Sequence, residues 1–219
     1  MNRGCFITFE GTEGSGKSTQ IPLLAERLRR EGWHTRELRE PGGTPIGEEI
    51  RQTLKHSPAN HKMTPEAELL LMNASRAQLV REIIRPAVET GEIVICDRFF
   101  DSTVAYQGFG RLLPIESVRR VIDFAVGDTR PDLTLLLFVP VDVSEARRQR
   151  RASEGEPPAR DRMEEAGRDF FARVERGYRE VAAAEPERVR WLDATGGVEA
   201  VREAVWREVS SFMRRRSRG

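Results

Sequence analysis

The sequence predicts an α/β domain built on a parallel sheet, and three observations carry that expectation. Short apolar runs alternate with helix-period stretches along the chain, the pattern of successive βαβ units. Two of those runs, Ile93-Val94-Ile95-Cys96 and Leu135-Leu136-Leu137-Phe138-Val139, are apolar at every position, as strands covered on both faces must be. The 219 residues are 38% hydrophobic and 32% charged, which suffices for one buried core and is short for two domains.

Five strands are expected, at residues 5–9, 34–38, 93–96, 133–139 and 189–192. The first helix spans 17–31, with apolar residues at 21, 24, 25 and 28, and Gly32 ends it. Thr64 is an N-cap with Pro65 in the first helical position, opening a long helix to about residue 90 that Gly91 stops. A further helix covers 114–126 and ends at Gly127. Helices over 142–151 and 162–184 flank a polar stretch at 152–161, and a last helix covers 198–213. The terminal Arg214-Arg215-Arg216-Ser217-Arg218 reads as a solvated, frayed end.

Charge and composition exclude several classes. The 36 basic and 35 acidic residues nearly cancel, whereas a dedicated nucleic-acid binder carries a basic excess. No apolar run reaches the 18 residues of a membrane span. The N-terminal Met-Asn-Arg-Gly-Cys lacks the apolar region of a signal peptide. Cys5 and Cys96 sit in apolar runs and read as core thiols of a reducing compartment. A soluble cytoplasmic protein is expected. Only three basic residues are lysines (Lys17, Lys55 and Lys62), so a lysine stands where arginine is this chain's default.

One of them closes a phosphate-binding motif. Gly11-Thr12-Glu13-Gly14-Ser15-Gly16-Lys17-Ser18 matches G-x-x-x-x-G-K-[ST], after the strand residues Phe6-Ile7-Thr8-Phe9 and before an amphipathic helix. With this composition chance yields about 0.002 such matches. The glycines let successive backbone N–H groups turn inward onto phosphate oxygens, and the helix N-terminus adds its positive end. Lys17 reaches the β- and γ-phosphates and Ser18 offers a hydroxyl to Mg²⁺. Residues 11 to 19, Thr19 included, are the expected ATP site.

The loop alone does not choose among kinases, GTPases and motors. No Asn-Lys-x-Asp guanine reader is present. Asp97 at a strand end is followed by Arg98, where a common ATPase motor has a glutamate to activate water. Asp97 is suited to hold Mg²⁺ or its waters, and Arg98 to grip a second phosphate. The three histidines (His34, His56 and His61) form no grouping with a nucleophile and read as structural or surface residues.

From Phe9-Glu10-Gly11-Thr12-Glu13-Gly14 onward the chain resembles the thymidylate kinase (dTMP kinase) family. The likeness rests further on Arg39-Glu40-Pro41-Gly42-Gly43-Thr44, Asn73-Ala74-Ser75-Arg76, Asp97-Arg98-Phe99 and Ser102-Thr103-Val104-Ala105-Tyr106-Gln107-Gly108. It continues through Arg130-Pro131-Asp132-Leu133-Thr134, Asp161-Arg162-Met163-Glu164 and Asp193-Ala194-Thr195. It spans essentially the whole chain, so one domain over 1–219 is expected. The implied fold is the three-layer α/β/α P-loop nucleoside-monophosphate kinase fold, a five-stranded parallel sheet with a lid at roughly 148–164.

The implied reaction moves the γ-phosphoryl group of ATP to the 5′-phosphate of dTMP, with Mg²⁺. That acceptor is already an anion, so the chemistry asks for positioning and charge neutralisation rather than a general base. The resemblance assigns Arg98 and Arg51 to the dTMP phosphate. Glu40 and Pro41 shape the loop beside it, and Glu13 lies near the sugar hydroxyl and reacting phosphates. Arg76 falls on an apolar stripe with 69, 72, 80 and 83, where a charge needs a partner or a cleft. By resemblance it donates to a thymine carbonyl, with Ser102, Thr103 and Gln107 completing the base site and Tyr106 packing on the deoxyribose.

This chain departs from the family at one base-site position. Met72 stands where the family usually stacks a phenylalanine on thymine. In the loop the chain has Gly14 where some members have arginine. Members with that glycine supply lid arginines instead, which points to Arg151, Arg160 and Arg162 beside Lys17, Glu13 and Arg98 as catalytic residues. Another phosphate acceptor and a non-catalytic ATP-binding module are the competing readings. A homodimer through the apolar faces of 66–89 and 114–127 is expected, with neither nucleic acid nor membrane as partner.

Overall fold

The computed structural model describes residues 3–153 and 167–216, apart from the side chains of 148 and 151–153. In chain order the elements are β1 (Cys5–Glu10), α1 (Lys17–Arg30), β2 (Thr35–Arg39) and α2 (Pro45–His56). Then come α3 (Pro65–Leu79), a π-helical turn (Val80–Ile84), α4 (Arg85–Glu89) and β3 (Ile93–Asp97). After these follow α5 (Phe100–Thr103), a second π-helical segment (Val104–Gly110), α6 (Ile115–Val126) and β4 (Leu133–Phe138). The chain closes with α7 (Val141–Ser153), α8 (Arg168–Ala184), β5 (Val189–Asp193) and α9 (Val198–Arg216).

The five strands form one all-parallel sheet in the order β2-β3-β1-β4-β5. Alternation along β1 sends Cys5, Ile7 and Phe9 to one face and Phe6 to the other. The first face is covered by α1 and α9 through Leu24, Leu28, Val205 and Val209. The second is covered by α3, α6 and α8 through Leu79, Ile122 and Val174. This is the expected α/β/α sandwich. β1 lies between β3 and β4, where strand order reverses, so the carboxyl ends of β1 and β3 open onto the crevice that binds ligands in such sheets.

Most boundaries lie within three residues of the sequence reading, but the helix expected over 162–184 starts at Arg168, after Gly167 in extended backbone, and residues 162–166 lie outside the described residues. The edge strand is Thr35–Arg39 rather than 34–38; its outward Arg36, Glu37 and Arg39 are exposed, so it lacks the apolar run that marks a central strand. The long helix runs 65–89 as expected but contains the π turn. Pro86 has no N–H and its ring would meet the carbonyl of residue 82 in a regular helix, and the widened turn falls where that conflict lies.

At the C-terminal end residues 214–216 are exposed, as expected, but helical rather than frayed, and 217–218 lie outside the described residues. Here α9 continues to Arg216, whose guanidinium donates to the carbonyls of Arg3 (2.8 Å) and Gly4 (2.6 Å) and pairs with Asp132 at 3.5 Å. These contacts tie the last turn to the start of β1.

Candidate active site

β1 ends directly in the phosphate loop. Gly11 has φ 130°, and a Cβ there would lie 2.2 Å from the Leu137 carbonyl oxygen of β4, so only glycine lets the loop leave the sheet at this point. Gly16 takes φ 97° immediately before α1. The loop backbone thereby wraps the helix N-terminus, an anion-binding arrangement. Lys17 Nζ lies across the loop, donating to the carbonyls of Gly11 and Thr12 (3.0 Å each) and to Ser15 Oγ (3.4 Å). Burial, then the nearby Arg98 charge, pushes the Lys17 ammonium down to about 8.

α7 clamps the loop from the other side. Ser144 Oγ donates to the Glu13 carbonyl at 2.6 Å. Arg147 donates to the Gly14 carbonyl (3.2 Å) and to the Ala194 and Thr195 carbonyls (2.9 and 3.1 Å). The loop after β5 is thus bound to the phosphate loop through one guanidinium. Between them opens a cleft of about 340 Å³, lined by Ser18, Thr19, Arg147, Arg150 and Gly196 among others. It is the space available to a nucleotide whose phosphates lie on the loop.

The acceptor side is built on the turn after β3. Arg98 has φ 70°, a left-handed backbone that costs a residue with a Cβ about 1–2 kcal/mol. Two hydrogen bonds hold it: Arg98 N–H to the Phe9 carbonyl (2.9 Å) and Phe99 N–H to Glu10 Oε1 (2.8 Å). The turn aims the Arg98 guanidinium into the cleft. There it meets Glu13 (2.5 Å), Ser102 Oγ (3.0 Å), Tyr178 (3.2 Å) and Tyr106 (3.3 Å). The Tyr106 hydroxyl donates to the second Glu13 oxygen at 2.8 Å. Burial alone would raise the Glu13 carboxyl, but Arg98, Lys17 and the Tyr106 hydrogen bond bring it down to about 2.

Glu10 behaves oppositely. It is fully buried and accepts from Phe99 N–H, Ser102 Oγ (2.5 Å) and the Tyr178 hydroxyl (3.1 Å). Burial, then the Asp101 charge, pushes it up to about 7. A carboxyl raised on folding binds its proton more tightly in the native state, so stability falls as pH rises from the unfolded value through 7. Glu10→Gln is expected to flatten that fall: the loss of Tm between pH 5 and 8 becomes smaller than in the native chain. Parallel Tm-against-pH curves would reject the assignment.

The residues assigned to the second nucleotide, Arg51 apart, gather around one narrow pocket of about 30 Å³, lined by Glu40, Pro41, Met72, Arg76, Arg98, Ser102, Thr103, Tyr106 and Gln107, with Phe99. Arg51 does not line it. Its Nη1 donates to the Pro41 carbonyl at 2.8 Å, so it braces the loop, whose Glu40–Pro41 peptide is cis. Arg76 is 2% exposed. Its Nε donates to Glu40 Oε2 (2.8 Å), Nη1 to Asn73 Oδ1 (2.8 Å) and Nη2 to the Phe99 carbonyl (3.2 Å), with Nη2 also 2.6 Å from Glu40. Burial raises the Glu40 carboxyl against the pull of Arg76. Its other oxygen, Oε1, is buried without a partner.

A second orphaned oxygen, Asp97 Oδ1, is buried at the end of β3. It and the Ser18 hydroxyl are hard oxygen donors, and few in number. That set suits Mg²⁺, which keeps waters and substrate phosphates in its shell rather than an all-protein cage. Among the described residues no group of three or more His, Cys, Asp or Glu could hold a metal.

Three expected lid residues are not placed: Arg160 and Arg162, and the side chain of Arg151, lie outside the described residues. The sequence reading also missed contributors. Glu10 and Tyr178 hold Arg98 from behind, Arg147 joins two loops, and Glu68 bonds Gln107. Glu10 was visible as a carboxylate ending an apolar strand, and Glu68 as one four residues before Met72 on the apolar stripe. Tyr178 offered no sequence signal.

A phosphate loop on β1, an Asp-Arg turn on β3 and a second pocket beside them define a P-loop nucleoside-monophosphate kinase. A family model described as thymidylate kinase matches residues 9–205. Curated thymidylate kinases align over nearly the full length. That of Kosmotoga olearia is 47% identical over 93% of this chain and 94% of its own. That of Thermomicrobium roseum is 48% identical over 96% of each, and that of Pseudomonas fluorescens 48% identical over 92% and 93%. The chain belongs to the thymidylate kinase family.

Proposed function

We infer that the chain phosphorylates dTMP to dTDP with ATP as donor, a step of dTTP synthesis. The observation that carries this reading is the Glu13–Arg98 contact. It joins the phosphate loop to the second pocket, so donor and acceptor phosphates converge on one group of charges.

The site residues take the following parts. Residues 11 to 19 cradle the ATP phosphates, with Lys17 neutralising the β- and γ-oxygens. Arg98 binds the dTMP phosphate and, tied to the rigid turn, holds it in line with the donor. Glu13 orients Arg98 and receives the Tyr106 hydroxyl, which keeps the tyrosine ring at the sugar. Arg76 and Gln107 face the base, Thr103 and Met72 enclose it, and Ser102 supports Arg98. Arg51, held on the Pro41 carbonyl, is proposed to join Arg98 at the dTMP phosphate, and Glu40 and Pro41 shape the neighbouring loop. No group removes a proton from the acceptor, because the attacking phosphate oxygen is already anionic. Ser18 and Asp97 would hold Mg²⁺, which when bound neutralises charge on the transferring group. Arg151, Arg160 and Arg162 are proposed to supply further positive charge from the 148–164 lid of the single domain.

Met72 is half-buried in the base pocket. A thioether covers an aromatic ring less rigidly than a stacked phenyl group. Met72→Phe is expected to lower KM for dTMP roughly threefold; an unchanged KM counts against Met72 as the base cover.

Leu70 on α3 and Phe124 on α6 are exposed, the latter at 87%, and we read these helices as a homodimer face. Light scattering that returns the mass of one chain rejects it. No helix among the described residues is long and apolar enough to cross a membrane. Cys5 and Cys96 are free and buried, which agrees with the proposed cytoplasmic location; recovery in a membrane fraction after lysis opposes it.

The decisive experiment is ADP release with ATP–Mg²⁺ against a panel of nucleoside monophosphates. Turnover concentrated on dTMP is the expected result. Equal or greater turnover on a purine monophosphate, or none on any acceptor, overturns the assignment.

A further inference from the structure

Gln107 carries an amide with chemically opposite ends, and the structure dictates which end faces the pocket. Its Nε2 donates to Glu68 Oε1 at 2.7 Å. Glu68, on α3, is 1% exposed. Its two oxygens also accept from Arg111, Nε to Oε1 at 3.2 Å and Nη2 to Oε2 at 3.0 Å. The Arg111 guanidinium lies 4.8 Å over the Phe170 ring, so the cation is anchored on α8 as well. A carboxylate balanced by a guanidinium only accepts. The end of Gln107 that meets it must therefore be the NH₂. The carbonyl oxygen, which accepts no hydrogen bond from the described residues, is left to the pocket.

In the same pocket Arg76 presents a donor. Hydrogen bonds to Glu40, Asn73 and the Phe99 carbonyl engage its Nε, one Nη1–H and one Nη2–H, with Glu40 also 2.6 Å from Nη2, which leaves an Nη1–H of the guanidinium fork over. The pocket thus offers a donor beside an acceptor. A 4-oxo pyrimidine with N3–H shows the complementary acceptor and donor. A 4-amino pyrimidine shows the reverse at both atoms. A free glutamine amide would serve either base by turning over, and the Glu68 carboxylate removes that freedom.

We propose that Glu68 is a specificity-determining positioning residue: by pinning the Gln107 amide it restricts the site to bases that donate at N3. This deepens the reading of the pocket as a base site and rests on it. Glu68 touches no substrate, and its effect passes through Gln107.

The test compares kcat/KM of the whole enzyme for dTMP and for 5-methyl-dCMP, which differ only in the 4-substituent and the N3 proton. Glu68→Gln keeps the shape and adds a donor. The substituted amide has one oxygen where the carboxylate had two and brings an NH₂ of its own, so it no longer fixes which end of Gln107 it meets, and the Gln107 NH₂ gains access to the pocket. The expected result is a fall in the dTMP to 5-methyl-dCMP ratio of about tenfold or more. Equal losses on both nucleotides, with the ratio unchanged, overturn the proposal and leave Glu68 a packing residue. If the single variant does not fold, Glu68→Gln/Arg111→Gln removes both charges together and the same ratio decides. Gln107→Leu separates the two readings. An unchanged KM for dTMP rejects the base pocket itself, whereas a raised KM with an unaltered ratio in the Glu68 variant rejects only the pinning.

Discussion

Replacing Lys17 with alanine is expected to lower kcat by about two to three orders of magnitude, the loss seen when one preorganised charge-stabilising donor is removed. The side chain is nearly buried and its ammonium spans the loop from the Gly11 and Thr12 carbonyls to Ser15. No other described cation occupies that position: Arg98 approaches from β3 and Arg147 from α7. Burial and Arg98 hold Lys17 near 8, so it is still mainly charged at neutral pH. Lys17→Arg is not expected to rescue, because a planar fork cannot replace a compact ammonium between two carbonyls. Steady-state kcat on a variant with the native circular dichroism spectrum is the measurement, and a loss below tenfold rejects the role.

Arg98→Ala should reduce kcat/KM for dTMP by roughly 30-fold to several thousand-fold, the kinetic equivalent of about 2–5 kcal/mol for truncating one partner of a hydrogen-bonded, desolvated charge pair. Two effects combine. The acceptor phosphate loses its cation, and Glu13 remains in the cleft without its closest counter-charge. Glu13 sits at about 2 because Arg98, Lys17 and Tyr106 outweigh its burial. Without Arg98 that value rises, so an acid limb absent from the native pH–rate profile should appear in the variant. KM for ATP should change little, since the phosphate loop is intact. A variant that weakens ATP and dTMP alike would place Arg98 in the loop's architecture instead.

Much of this site was legible because its chemistry is local. The phosphate loop declares itself within eight consecutive residues, and the Asp97-Arg98 pair ends a strand that is apolar throughout. Arg76 is conspicuous as a charge on an apolar stripe. The π-helical segment at 104–110 left no comparable trace. Its glycines and β-branched Val104 obscure any helical period, although it carries Tyr106 and Gln107. The setting of Arg51 left no trace either: only the packing of α2 brings its guanidinium onto the Pro41 carbonyl.

The sequence by itself determined the sheet and the nucleotide-binding loop, because periodicity and contiguous motifs act over a few residues, whereas most groups of the second pocket were named by the chain's resemblance to its family. Tertiary structure alone decided which charges meet. Glu13 and Arg98 are 85 positions apart, Glu10 and Tyr178 168, and Glu68 and Gln107 39. Those pairs exist because parallel strands deliver distant chain segments to one sheet edge and helices pack over it. Burial there then makes each hydrogen-bond partner obligatory.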